Sequence, residues 1–276
     1  MFIDTHTHIH QHGPGEIASI IARAVAANVG AVITAGVTVE DSRKAIEAAR
    51  AHERVFAGVG VHPTDLAGPL TDGDTADLDQ LAGAPEVVVM SEIGIDHQDR
   101  SPDRQWQNQA FQAQTEIARK HGLPLVFHIR EQGDDYDAHS ARDAALSLLR
   151  EASAGDLGGT AHYFQGRWKH ASQFLDLGFH ISFAKTLLRI PDLEETARKT
   201  PADRILLETD AYPQPFKKNR DKWTEPRDIP GVAAKLAAVR GVGIDEIRRL
   251  TTENALSMLG SKATVVRALV EPDRIE

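Results

Sequence analysis

An α/β fold closed as a (β/α)8 TIM barrel is predicted by three observations. Eight short Val- and Ile-rich runs recur along the chain, helical patterns separate them, and polar residues gather at the C-terminal ends of the runs. The 276 residues suffice for one such barrel, which takes about 250. One domain over 1–276 is expected, with the barrel at about 1–260 and a segment, 261–276, of unassigned role. The competing architecture is a doubly wound open sheet. It is disfavoured because no glycine-rich phosphate loop follows the first run.

The runs fall at 1–9, 31–37, 55–61, 87–95, 124–130, 159–164, 179–184 and 205–209. They lack clean polar alternation, as strands do when helices cover one face and barrel packing the other. Between the first two, Ile17, Ile20, Ile21, Ala24 and Val25 make one apolar stripe at helical spacing. Thr38 and Asp41 read as a capping box opening a helix to about His52. Ser101 and Pro102 supply a cap and a first-turn proline ahead of a helix from Trp106 to Lys120, which Gly122 stops. Pro191 starts another helix, and 228–239 and 244–259 close the chain as helices.

Hydrophobic residues at 41% and charged residues at 26% are ordinary for a globular protein. No apolar run is long enough to cross a bilayer and no signal-peptide pattern opens the chain, so a cytoplasmic location is expected. No membrane association and no obligate protein partner are indicated. Cysteine is absent, so a metal site must be built from imidazole and carboxylate, and 13 histidines are available. A net charge of −9 argues against a generic nucleic-acid coat. Basic residues concentrate locally at 167–170 and 217–227.

The chemistry begins at His6 and His8. Two apart on a strand, they face the same way and can share one ion. Glu92 ends the fourth run, His128 the fifth, His162 lies in the sixth, and Asp210 follows the eighth. Each alone has a bland reading as a core or rim residue or a helix cap. Six of them at five strand ends on the catalytic side of one barrel point instead to metal ions, which relieve the desolvation cost of clustered carboxylates. Two divalent ions are expected, of zinc, manganese or magnesium. His6, His8, Glu92 and Asp210 would hold one; Glu92, His128 and His162 the other, with Glu92 bridging. A hydroxide shared between them would attack, and Asp210 would accept the proton, making Asp210 and Glu92 the catalytic carboxylates.

These motifs resemble those of the TatD-like metal-dependent deoxyribonucleases of the amidohydrolase superfamily. The resemblance lies in Asp4-Thr-His6-Thr-His8, Gly58-Val-Gly60-Val-His62-Pro63, Glu92-Ile-Gly94-Ile-Asp96, His128-Ile-Arg130, His162-Tyr-Phe164-Gln-Gly166, Glu208-Thr-Asp210 and Thr252-Glu253-Asn254. It spans about 2–260 and implies a (β/α)8 barrel, a divalent-metal site with the six ligands above, and hydrolysis of DNA phosphodiesters. Related barrels carry a carboxylated lysine where this chain has Glu92. Gln165 stands where the family usually has Ser, and 219–226 departs from the usual pattern after Asp210, which bears on the substrate.

Around the ligands, His62, Arg130 and Glu208 read as substrate or outer contacts to the metal site. Arg130 shares a face with His128 and could bind phosphate bidentately, and Asp96 would orient a ligand or loop. His10, His12 and His97 read as loop residues. Trp168 and Trp223 could stack bases, though such residues more often pack a loop. The expected activity is phosphodiester hydrolysis of single-stranded or end-accessible DNA. The alternatives are ester hydrolysis on the same site, of an aminoacyl-tRNA or a small ester, and a catalytically silent metal-binding scaffold.

Overall fold

Eight parallel strands pair in chain order: β1 (Phe2–Thr7), β2 (Val29–Ala35), β3 (Val55–Val59), β4 (Val87–Asp96), β5 (Leu125–Arg130), β6 (Gly159–Ala161), β7 (His180–Phe183) and β8 (Ile205–Leu207). This is a computed structural model, and it describes residues 1–135 and 137–270. The first and last strands meet through a parallel bridge between Thr7 and Ala211. Hydrogen bonds from His8 N to Ala211 O (2.6 Å) and from Thr5 Oγ1 to Leu207 O (3.0 Å) support it. The predicted (β/α)8 barrel is the fold observed.

Among the described residues ten α-helices accompany the strands: α1 (Pro14–Ala26), α2 (Val39–Ala51), α3 (Asp72–Ala82), α4 (Arg104–His121), α5 (Ser140–Glu151), α6 (Trp168–Asp176), α7 (Leu193–Lys199), α8 (Ile229–Arg240), α9 (Ile244–Leu259) and α10 (Ala263–Val270). The expected stripe of α1 buries Ile17, Ile20 and Ala24. Thr38 caps α2 by accepting from Asp41 N. The reciprocal half of the box is missing because Asp41 accepts from His10 and Val37 N instead. Asp103, not Ser101, caps α4 by taking the amides of Gln105 and Trp106. Ser101 is drawn away to Asp96 Oδ1 at 2.5 Å. Likewise α7 begins at Leu193 rather than at Pro191.

Several apolar runs outlast their strands. β6 ends at Ala161 within the run 159–164 and β8 at Leu207 within 205–209, although His162 N still donates to Phe127 O and Glu208 N to Phe183 O. The residues just past these ends are those that turn into the site: His162, Tyr163, Glu208 and Thr209.

The opposite end of the barrel is closed by the C-terminal helices. Ile3, Phe56, Val88, Val126 and Leu206, all near strand starts, form one buried cluster with Leu256 and Leu259 of α9 and Val266 and Val270 of α10. The amino terminus donates to Val270 O at 2.8 Å. The segment left unassigned by sequence is thus a packed helix as far as Val270, and 271–276 lie outside the described residues. No helix among the described residues is long and apolar enough to cross a membrane.

Candidate metal centre

Period-two alternation at the end of β1 brings His6 and His8 together, with their Nε2 atoms 3.3 Å apart. Asp4, fully buried on the same strand, fixes this end by accepting from Thr209 Oγ1 (2.5 Å) and Thr209 N (3.0 Å). Asp210 N then donates to His6 O at 3.0 Å. Asp210 and Tyr163 take left-handed backbone conformations, with φ of 51° and 45°. An Asp tolerates that region, whereas a bulky aromatic is strained there, a cost that concentrates at functional sites. Tyr163 is held in place by its amide, which donates to Glu208 Oε1 at 2.7 Å.

Glu92 is buried at the centre, and its two oxygens have different neighbours. Oε2 lies 3.3 Å from His6 Nε2 and 3.4 Å from His8 Nε2. Oε1 lies 2.8 Å from His162 Nε2, 3.1 Å from His128 Nδ1 and 3.4 Å from His62 Nε2. Asp210 Oδ1 adds 3.4 Å to His8 and 3.9 Å to His6 on the first side. Donor atoms around one tetrahedral ion at ordinary N and O bond lengths stand about 3.3–3.6 Å apart. Most of these separations match, so the residues fit divalent cations. Two groups could each hold an ion: His6, His8 and Glu92, and His62, Glu92 and His128.

Each of these imidazoles has its far nitrogen engaged. His6 Nδ1 pairs with Ser91 Oγ (3.3 Å), His8 Nδ1 with Ala35 O (2.7 Å) and His62 Nδ1 with Thr64 Oγ1 (2.7 Å). His128 Nε2 pairs with Asp96 Oδ2 (3.0 Å) and His162 Nδ1 with Glu208 Oε1 (2.9 Å). Such outer contacts fix ring orientation and leave the inner nitrogen aimed at the centre.

Electrostatics agree with this packing. Burial pushes the Glu92 carboxyl up, but the surrounding imidazoles overcome it and hold it well below the usual carboxylate range. Burial opposes charge on His8, yet Asp210 and Glu92 raise it to about 10. His62 is raised to about 9 against the same penalty, by Glu92 and Asp65. The carboxylates thus favour positive charge among the rings, and cation binding supplies it while displacing protons.

Two glycines of the sequence motifs have steric reasons. A Cβ on Gly94 would overlap His128 O, so only glycine lets β4 approach β5 beside the site. At Gly60 a Cβ would come within 2.9 Å of Ser91 O, next to Glu92.

The predicted site residues therefore converge: His6, His8, Glu92, His128, His162 and Asp210 surround one point. His62, read from sequence as an outer or substrate contact, stands as close to Glu92 as His8 does. It lies three residues beyond the end of β3, where strand periodicity no longer says which way a side chain faces. Glu208 and Asp96 are the partners of His162 and His128, as their positions suggested. Arg130 is exposed and lines the cavity above the centre. His10 is buried against Thr34 and Asp41, His12 pairs with Glu16 and His97 with Ser140. Trp168 and Trp223 are packing residues: Trp168, at the start of α6, rests half-buried on the core, and Trp223 donates to Lys217 O under Arg220.

A family model described as TatD related DNase matches residues 3–260. The chain belongs to that family. Among its TatD relatives, a Bacillus subtilis protein named "Uncharacterized metal-dependent hydrolase YabD" is 30% identical, over 92% of this chain and 97% of the relative. The Salmonella typhimurium protein named "3'-5' ssDNA/RNA exonuclease TatD" is 29% identical over 87% and 91%. The crystal structure of the TatD homologue YJJV from Escherichia coli superposes with a TM-score of 0.81 at 26% identity, covering 93% of this chain and 97% of that one. As a TatD-family protein the chain is a metal-dependent hydrolase.

Proposed function

We propose that this TatD-family chain hydrolyses phosphodiester bonds of single-stranded nucleic acid, with DNA as the leading substrate, using two divalent cations. The observation that carries the two-ion reading is the division of Glu92: one oxygen faces His6 and His8, the other faces His62, His128 and His162. His6, His8, Glu92 Oε2 and Asp210 would hold one cation; Glu92 Oε1, His128 and His162 the other, with His62 as a further nitrogen donor. Imidazole-rich sites of this kind suit zinc or manganese better than magnesium. Cations held there would supply Lewis acidity toward a phosphoryl oxygen and the attacking water.

Asp210 is the proton acceptor in this reading. Its Oδ1 is turned to His6 and His8, while Oδ2 has no protein partner among the described residues and the side chain is 24% exposed. It is the site carboxylate open to the cavity; Glu92 is closed in by rings. Burial pushes the Asp210 carboxyl up, but the hydrogen bond with His8 and the nearby imidazoles hold it below its usual value. It therefore stands ionised, the state a proton acceptor must start from.

The cavity over the centre measures about 1140 Å³, above the roughly 300–1,000 Å³ of a drug-sized ligand site. That room suits a polymer end better than a small ester. The name of the Salmonella relative, a 3'-5' ssDNA/RNA exonuclease, supports the same substrate class. The test is a panel of single-stranded DNA, a generic phosphodiester, a lactone and a charged tRNA, each assayed with manganese, zinc or magnesium. Release of nucleotides from the DNA is expected. Turnover of the lactone or the charged tRNA with both phosphodiesters spared would overturn the proposal in favour of ester hydrolysis.

A further inference from the structure

The cavity has two chemically different sides. One is the centre of imidazoles and carboxylates. The other carries Lys185, Arg189 and Lys217 together with Leu188, Tyr212 and Phe216. For a chain of net charge −9, four cations in the lining of this cavity, Lys185, Arg189 and Lys217 with Arg130, are a local concentration of positive charge.

Their charges are unequally satisfied. Lys185 is paired with Asp228 at 2.6 Å. Among the described residues Lys217 has only neutral acceptors, Gln214 Oε1 at 2.6 Å and Lys222 O at 3.4 Å. The guanidinium of Arg189 is exposed and makes no ion pair or hydrogen bond among the described residues. Partial burial and repulsion from Lys185 and Arg189 lower the Lys217 ammonium, so an anion between them would relieve a standing repulsion. Phe216 is 67% exposed, the most exposed large hydrophobic among the described residues, and Tyr212, also in the cavity lining, is 37% exposed. Lys217 Nζ lies 5.9 Å from the Phe216 ring centre.

The loop bearing these groups is held firmly. Trp223 Nε1 donates to Lys217 O at 3.1 Å, and the buried Gln214 also accepts from Thr224 N at 3.1 Å. Glu225, 1% exposed, is gripped by Arg23, Arg220 and Arg227. An exposed aromatic fixed by its supports, next to unneutralised cations, is the makeup of single-strand recognition, in which bases stack and phosphates pair.

We infer that Arg189, Lys217 and Phe216 form a nucleotide subsite adjoining the metal centre, the two cations holding a phosphate next to the scissile one and the Phe216 ring stacking its base. The inference rests on the phosphodiesterase reading for which phosphate is cleaved, and on the cavity wall alone for strand binding.

The test measures fluorescence anisotropy of a labelled, hydrolysis-resistant phosphorothioate oligothymidylate on the metal-loaded full chain. Phe216→Ala is expected to weaken binding roughly tenfold and Phe216→Trp to restore it, within the range known for base–aromatic stacking. Arg189→Ala combined with Lys217→Ala should flatten the dependence of log affinity on log salt by about 0.7, the value for one lost single-strand phosphate contact. An abasic strand should keep that salt slope and lose its sensitivity to Phe216. Lys120→Ala, on the outer surface, should bind as the parent does.

Binding within twofold of the parent for Phe216→Ala and for the double variant, with an unchanged salt slope, would overturn the subsite. If the unmodified strand is then still cut, the phosphodiesterase reading survives that loss. Tight binding that depends on Phe216, without cleavage of the unmodified strand, supports the subsite and removes the phosphodiesterase reading instead.

Discussion

His162 and Glu208 form a fixed pair: Nδ1 of the ring donates to Oε1 of the carboxylate across 2.9 Å, which turns Nε2 onto Glu92. The same Oε1 takes the amide of the strained Tyr163, so one oxygen sets both the ring and the backbone that carries it. Glu208 Oε2 is buried with no hydrogen-bond partner, a desolvation cost tolerated where an acid has a task. Glu208→Ala should lower metal affinity or turnover roughly 10–100-fold, as loss of an outer partner of a metal-binding histidine does. Metal titration and steady-state kinetics on the variant check this, and parental values for both would deny Glu208 its positioning role.

Glu92 should be the most sensitive position. Removing the carboxylate between five imidazoles takes away the negative charge on which both proposed ions depend. Glu92→Ala is expected to bind at most one ion per chain by elemental analysis and to lose turnover by at least about a hundredfold. Glu92→Gln keeps the shape but not the charge and should fail similarly. Two ions bound by Glu92→Ala with full turnover would refute the bridge.

Much of this arrangement was legible in the sequence because strands impose a short, reliable period. His6 and His8 face one way for that reason, and residues just past Val-rich runs land on one rim of the barrel, which located Glu92, His128, His162 and Asp210. Loops are less legible. His62, readable as a rim residue but not as a neighbour of Glu92, follows β3 by three residues; Lys217, readable only as part of a basic run, and Phe216 lie in an irregular stretch beyond β8, and Arg189 follows β7 by six. No periodicity dictates where such side chains point; partners distant in sequence decide it, such as Arg23 for Glu225 and Glu16 for Arg220. The same competition misled the cap of α4, where Asp96 draws Ser101 away from the helix start. Trp168 and Trp223, which the sequence offers as base stackers but more readily as packing residues, serve as supports in the fold.

Metal removal should be visible in stability as well as in activity. A ligand that binds only the folded chain stabilises it by about 2.7 kcal/mol at 100 times its Kd. For a chain of this size that corresponds to a rise in Tm of roughly 5 °C. Dialysis against a chelator should abolish hydrolysis and lower Tm by that amount, and added manganese or zinc should restore both. An unchanged melting curve after verified metal loss would contradict tight binding at the Glu92 centre.

Acid should destabilise the fold through His180, which lies on β7 far from the chemistry. Its side chain is buried, Nδ1 donates to Gly159 O at 3.2 Å, and burial chiefly holds its pKa down at about 4 against an ordinary 6.5. An unfolded chain takes up this proton as pH falls through 6.5, whereas the folded chain resists until about 4. The stability tied to the neutral ring is therefore complete above 6.5 and is lost progressively as pH falls toward 4. Between pH 7 and pH 5 the loss should be about 2 kcal/mol, at about 1.4 kcal/mol per pH step once the unfolded imidazole is charged. His180→Gln keeps an amide donor for Gly159 and cannot titrate in this range. Denaturant unfolding of both proteins at pH 7 and pH 5 should show the parent losing about 2 kcal/mol more than the variant. Equal losses would mean that His180 is solvated or already charged in the folded state, and the acid sensitivity would then have to arise elsewhere.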